Sequence, residues 1–133
     1  MKYRAPLKNA LGLGSAKSGV HHWWIQRLTA VGLIPLTLWF VYAIATGCLD
    51  VSSYESAREF IAKPMHAILL ILLTFTMLHH SQLGVQVIVE DYVHGGLKTI
   101  TLIASKFAHI AAGVAAIYSI IVISLSTIPG AAS

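Results

Sequence analysis

The chain has 133 residues, of which 56% are hydrophobic and only 11% are charged, against about 25% charged in ordinary soluble domains. A soluble domain this small has no interior able to hide so much apolar surface, so the composition describes a single all-α membrane domain over residues 1–133. The formal net charge of +4 comes from a basic N-terminal segment beside a membrane span, which suits an anionic lipid surface and not nucleic acid.

Residues 1–22 lack an apolar core and contain Gly12, Gly14 and Gly19, so no cleavable secretory signal is expected and the first apolar segment is kept as a span. That span runs from about Trp24 to Gly47, with Trp23 and Trp24 placed as interfacial aromatics and Pro35 expected to bend the helix. The only cysteine, Cys48, allows neither an internal disulfide nor a thiolate cage for an iron–sulfur cluster. A second span is expected from about His66 to Val89, with Pro64 in its first turn. A third runs from about Thr99 to Ile128, interrupted near its start by Lys106 and His109 and stopped by Pro129-Gly130. Ala104, Ala108, Ala112 and Ala116 recur every four residues, a small-residue stripe expected to form a helix–helix interface. Each span meets the roughly 20 residues that a bilayer-crossing helix needs.

Lysine and arginine set the orientation. With three transmembrane helices, Lys2, Arg4, Lys8, Lys17, Arg27, Lys98 and Lys106 all fall on one side. The first loop carries only Arg58 and Lys63 beside Asp50, Glu55 and Glu59, and the C-terminal segment carries no basic residue. The positive-inside rule then predicts the N-terminus inside and the C-terminus outside, with Glu90-Asp91-Tyr92 on the inner face.

The second span holds most of the chemistry. It contains His66, His79 and His80, then Gly84 on the same face as His80, then Asp91 and Tyr92 at its exit. Ionisable residues inside a membrane are costly and mark functional sites. A neutral imidazole is a good axial ligand for haem iron. Counting back from a Tyr92 at the interface, His80 lies about 18 Å along the axis, near the bilayer middle. A missing side chain at Gly84 would admit a flat macrocycle or another helix. Adjacent histidines with a same-face glycine fit haem ligation and interhelical hydrogen bonding equally. A zinc site is disfavoured, because no second ligand follows at i+3 or i+4. One histidine cannot complete a six-coordinate haem, so a second ligand would come from another subunit. Tyr92 reads either as an interfacial anchor or as a donor to a quinone carbonyl, with Asp91 beside it orienting the hydroxyl or feeding protons. Arg27 can snorkel to the interface, or with His21 hold carboxylates such as haem propionates. His22, His94 and His109 have no distinctive spacing.

Gly19-Val20-His21, Arg27-Leu28-Thr29-Ala30, His80 with Gly84, Gln86-Val87 and Asp91-Tyr92 together resemble the small, D-type membrane-anchor subunits of succinate dehydrogenase (respiratory complex II). The resemblance covers all three spans. It implies a second three-helix anchor subunit as partner, with one haem b shared between the two and one axial histidine from each. His80 takes the ligand position, His21 and Arg27 lie near the propionates, and Asp91 and Tyr92 belong to the ubiquinone site. It also implies an iron–sulfur subunit that delivers electrons, a flavoprotein subunit that oxidises succinate, and a bacterial inner-membrane location.

Three other functions compete. One is the anchor of a fumarate reductase or another b-type quinone oxidoreductase. Another is a pure assembly or lipid-binding protein with no redox role. The third is a small transporter or proton channel. A channel calls for an acidic residue in mid-span, whereas Glu90 and Asp91 lie at the end of theirs.

Overall fold

The computed structural model describes residues 16–126, with side chains from Gly19 onward. Lys2, Arg4, Lys8, Gly12, Gly14 and the Pro129-Gly130 stop lie outside the described residues, as does the side chain of Lys17. Four helices follow in order: α1 (Ala16–Ala45), α2 (Tyr54–Ala62), α3 (Pro64–Tyr92) and α4 (Gly96–Ser126). Three of them, α1, α3 and α4, are long and apolar enough to cross a membrane. Each is about 44–46 Å long at 1.5 Å per residue. That exceeds the roughly 30 Å hydrocarbon core, so the ends project into the headgroup layers or the helices tilt.

The helix bounds differ from the apolar bounds at one place. α1 begins about two turns before Trp24. Hydropathy marks where the membrane starts, while the helix continues through Gly19 and His21 because no breaker stands there. Pro35 lies within a continuous α1. The other terminations are local. Pro64 occupies the first turn of α3, and Val93 N–H closes its end on the Val89 carbonyl. Gly95 at φ 68 makes the reversal into α4, a conformation that side-chain-bearing residues rarely adopt.

α2 was not legible as a separate element. It is a nine-residue amphipathic helix. Its N-cap is Ser53, whose hydroxyl accepts from Ser56 N–H. Before it, Asp50 accepts from both the hydroxyl and the backbone N–H of Ser52, at 2.6 and 2.9 Å. Those bonds, the Ser52 hydroxyl first, hold the Asp50 carboxyl below the usual carboxylate range. The turn therefore keeps the Asp50–Ser52 bonds at neutral pH and loses them only as pH falls through that lowered value.

α3 is the centre of the bundle. It packs against α1 on one side and α4 on the other, and α1 and α4 make no contact with each other among the described residues. α2 lies across the loop end, against both α3 and α4. An aromatic knot joins these parts. Phe60 of α2 is 2% exposed and clusters with Ala43 and Leu49, with Trp39, Phe40, Ala57 and Leu70 packed around them. Its ring centroid lies 5.8 Å from that of Trp39 and 4.0 Å from that of His66. His66 Nδ1–H donates to the Phe60 carbonyl at 3.1 Å, so this histidine fastens α2 to the bundle. Elsewhere large apolar side chains such as Leu28, Ile34, Leu38, Phe107 and Val114 stand exposed, available to lipid or to another protein.

The alanine stripe lies off the α3 contact. Ala104, Ala108 and Ala112 are exposed, and only Ala116 is half-buried. A four-residue repeat precesses by about 40° per step on a helix of 3.6 residues per turn. The stripe therefore winds around α4, and only its last member reaches the face turned to α3.

Phe60→Ala should lower the thermal stability of the assembled protein by about 3–5 kcal/mol, as for other fully buried phenylalanines. Val51→Ala, in the exposed loop, should stay within about 0.5 kcal/mol. Thermal unfolding in detergent measures both.

Candidate functional site

The first polar cluster forms where α1 meets α3. His22, Gln26 and Thr29 fall on one α1 face, at spacings of four and three. That face meets His80 and Gly84 of α3. Thr29 Oγ1 lies 3.0 Å from His80 Nδ1. Gln26 Nε2 lies 3.5 Å from His80 Nε2, and a Cβ added at Gly84 would come within 3.8 Å of that same amide nitrogen. Gly84 thus leaves a notch beside His80, bordered by the Gln26 amide at ordinary contact distance. Two buried polar atoms in this region have no hydrogen-bond partner, Gln26 Oε1 and His22 Nε2. Unsatisfied buried polar atoms are costly, and they mark a place where a further polar group is due.

This arrangement bears on haem. An imidazole directed at a glycine notch, with two orphaned polar atoms nearby, fits an incoming ligand-demanding group. His80 is the residue that could hold its iron, and His22 and Gln26 offer polar atoms beside it. Among the described residues, no group of three or more His, Cys, Asp or Glu side chains is placed to hold a bare metal ion.

His79 belongs elsewhere. It stacks on Phe75 with ring centroids 6.0 Å apart and lines a groove of about 740 Å³ between α3 and α4. Gln82, Gln86 and Lys106 share that groove, amid apolar walls. The adjacent histidines are thereby divided: His80 serves the α1 side, His79 the α4 side. His109 also serves α4. Its Nδ1–H donates to the Ser105 carbonyl at 2.8 Å, leaving Nε2 to accept from the Ser81 hydroxyl at 3.2 Å.

At the α3 exit, Gln86 donates to Glu90 Oε1 at 2.8 Å, and Lys98 Nζ donates to the Glu90 carbonyl at 3.1 Å. Asp91 and Tyr92 are exposed, Tyr92 at 79%. They share no hydrogen bond with each other or with any other described residue. Their side chains diverge by about 100° on the helix, so Asp91 does not orient the Tyr92 hydroxyl within this chain.

His21 and Arg27 are both exposed. The Arg27 guanidinium lies over the Trp23 ring, 5.4 Å from its centroid, which is a cation–π contact. The α1 face that meets His80 carries His22 and Gln26, so the structure does not bring His21 and Arg27 to that imidazole. Sequence reasoning passed over Gln26 and met Thr29 only within the Arg27-Leu28-Thr29-Ala30 stretch. Their signal was present, since both share a face with His22 and neither is apolar.

His80 lies level with Gln26 and Thr29 of α1, about one turn beyond the Trp23–Trp24 pair, whose rings meet edge to face.

These features define a class: an all-α membrane protein with three helices long and apolar enough to span a bilayer. Comparison with known proteins is more specific. Residues 1–125 match the family of succinate dehydrogenase/fumarate reductase transmembrane subunits, and the chain belongs to that family. It is 36% identical over 122 residues to the succinate dehydrogenase hydrophobic membrane anchor subunit of Rickettsia bellii, covering 89% of this chain and 94% of that one. The corresponding subunit of Paracoccus denitrificans is 30% identical over 128 residues, covering 96% and 98%. A succinate dehydrogenase membrane anchor subunit of Reclinomonas americana is 32% identical over 81 residues, covering 59% and 67%. The chain is thus a multi-pass membrane anchor and a subunit of a larger enzyme.

Ser81→Ala should remove the interhelical bond to His109 at a cost of about 0.6 kcal/mol, the usual value for such bonds in membrane bundles. Gly113→Val should cost more, because even a Cβ there would come within 3.3 Å of Leu78 Cδ1. Thermal unfolding in detergent ranks the two variants.

Proposed function

We propose that this chain is the D-type anchor of a succinate:ubiquinone oxidoreductase in a bacterial inner membrane. It holds the soluble subunits at the bilayer and contributes to the ubiquinone site and to haem b ligation. The observation that carries the reading is the His80 imidazole, fixed by Thr29 on one side and turned toward the Gly84 notch on the other. The printed names of the Rickettsia and Paracoccus relatives support succinate dehydrogenase over its alternative. The family description itself also covers fumarate reductase, so the favoured direction of turnover in the purified complex separates the two.

The residues have distinct tasks in this reading. His80 would hold the haem iron from this chain, and a second anchor subunit would supply the other ligand. Haem b, when bound, supplies a one-electron redox centre. His21 and Arg27, on exposed faces of α1, serve carboxylates that approach from the partner's side. Tyr92 donates its phenolic hydrogen to a carbonyl of ubiquinone, and its high exposure leaves that hydroxyl open to an incoming ring. Asp91, exposed at the same helix end, passes protons between water and the quinone oxygens. An iron–sulfur subunit delivers the electrons, and a flavoprotein subunit takes them from succinate. The basic N-terminal side lies inside, where electrons and protons arrive.

Tyr92→Phe should keep the complex assembled and reduce its quinone reductase activity by about 10²-fold, in line with loss of a positioned proton donor. Succinate oxidation with an artificial acceptor should be unchanged. A variant with full quinone reductase activity would make Tyr92 an anchor only. In reduced-minus-oxidised optical spectra, His80→Ala should lose or shift the b-type band, while His79→Ala keeps it. The reverse result would transfer ligation to His79.

A further inference from the structure

We propose that Thr29 is the positioning residue for His80: it fixes the imidazole tautomer so that Nε2 presents its lone pair at the Gly84 notch. The inference rests on the proposed ligation of haem by His80 and adds to it a residue with no contact to the iron.

The argument is an accounting of one proton. Thr29 Oγ1 lies 2.9 Å from the Ile25 carbonyl and 3.1 Å from the Gln26 carbonyl. Two carbonyl oxygens this close to a hydroxyl oxygen repel it unless the hydroxyl hydrogen lies between them. Threonine within a helix makes this back-bond to the preceding turn. Its single hydrogen is then committed, and only lone pairs remain for the third neighbour, His80 Nδ1 at 3.0 Å. That contact is attractive only when Nδ1 carries the hydrogen and donates. A neutral imidazole protonated at Nδ1 has its lone pair at Nε2.

The Gln26 amide agrees with that assignment. Its nitrogen, 3.5 Å from His80 Nε2, offers N–H toward the lone pair. Its oxygen is left buried without a partner. The amide therefore occupies the ligand direction of His80 with a long and weak bond, and it is poorly satisfied there. An electrophile that takes the Nε2 lone pair costs little in displaced hydrogen bonding and frees Gln26 to find a better acceptor. Meanwhile the Thr29 bond persists on the far side of the ring. Partners of this kind orient a ligating histidine and raise its basicity. A more basic imidazole favours the ferric over the ferrous state, so Thr29 lowers the midpoint potential.

The test uses the assembled complex in mild detergent. Thr29→Val keeps the shape and removes the hydroxyl, Thr29→Ser keeps the hydroxyl, and His80→Ala removes the ligand. Haem potentiometry and the low-temperature electron paramagnetic resonance of the ferric haem are the readouts. Thr29→Val should retain haem but raise its midpoint by about a tenfold change in ferric preference, about 59 mV for one electron. Its resonance should broaden or shift as the ring loses its fixed plane. Thr29→Ser should restore both readouts to those of the parent. If Val disturbs assembly, Thr29→Ala removes the same hydroxyl and decides the matter by the same shift. An unchanged potential and resonance in the hydroxyl-free variant, beside a lost signal in His80→Ala, would overturn the role of Thr29 and leave the ligation intact. An unchanged haem signal in His80→Ala would overturn ligation by His80, and the role of Thr29 with it.

Discussion

A membrane interior gives helices no hydrophobic reason to associate, since lipid tails are as apolar as leucine. This constraint governs the molecule. Each span satisfies its own backbone, as it must where no water can do so. What then holds the spans together is sparse: one aromatic knot at the loop end and a few polar clamps along α3. The knot works because α2 and its loop lie where water is near, so that burying Phe60 against Trp39 and His66 removes real apolar surface from water. Deeper in the bundle a few polar contacts join buried apolar side chains such as Leu83, Val89 and Ile120. His80 meets Thr29 of α1, and His109 meets Ser81 of α3.

The two clamps are alike in one respect and different in another. Each has a histidine whose Nδ1–H is committed to an oxygen, which leaves Nε2 as the acceptor. For His109 the acceptor role is fulfilled by the Ser81 hydroxyl, and the residue is complete as a structural tie. For His80 the opposite nitrogen meets only a distant amide, in a place kept open by the absent side chain of Gly84. The His109 clamp is complete within the chain, whereas the second nitrogen of His80 has only the long Gln26 contact. The distinction is local chemistry, and it separates the histidines more sharply than their depth does.

The spans were legible because length and hydropathy alone define them, and α3 and α4 lie within a turn or so of their expected bounds. α2 was missed because its apolar residues Ala57, Phe60 and Ile61 are few and lie among Glu55, Arg58 and Glu59. Its one clear sign was Ser53 ahead of an acidic first turn. The alanine stripe lies mostly off the α3 contact, because a repeat of four winds around the helix and does not run parallel to its axis. The separation of His79 from His80 followed from helix geometry. The neighbours of His80 did not, because Gln26 and Thr29 gain meaning only when α1 is seen to cross α3 at their level. A chain read in one dimension shows which face is polar, but not which helix that face meets.

The length of α3 ties the two ends of the site together. Because α1 and α4 do not touch among the described residues, α3 stays exposed on two sides, with Ile68, Leu72 and Phe75 on one and Met77, Ile88 and Tyr92 on the other. The latter three fall within one stripe, since steps of eleven and four residues return to nearly the same direction at 3.6 per turn. Gly84 lies between that stripe and the His80 face. In the proposed assembly, one rigid helix therefore fixes both the spacing and the relative direction of His80 and Tyr92.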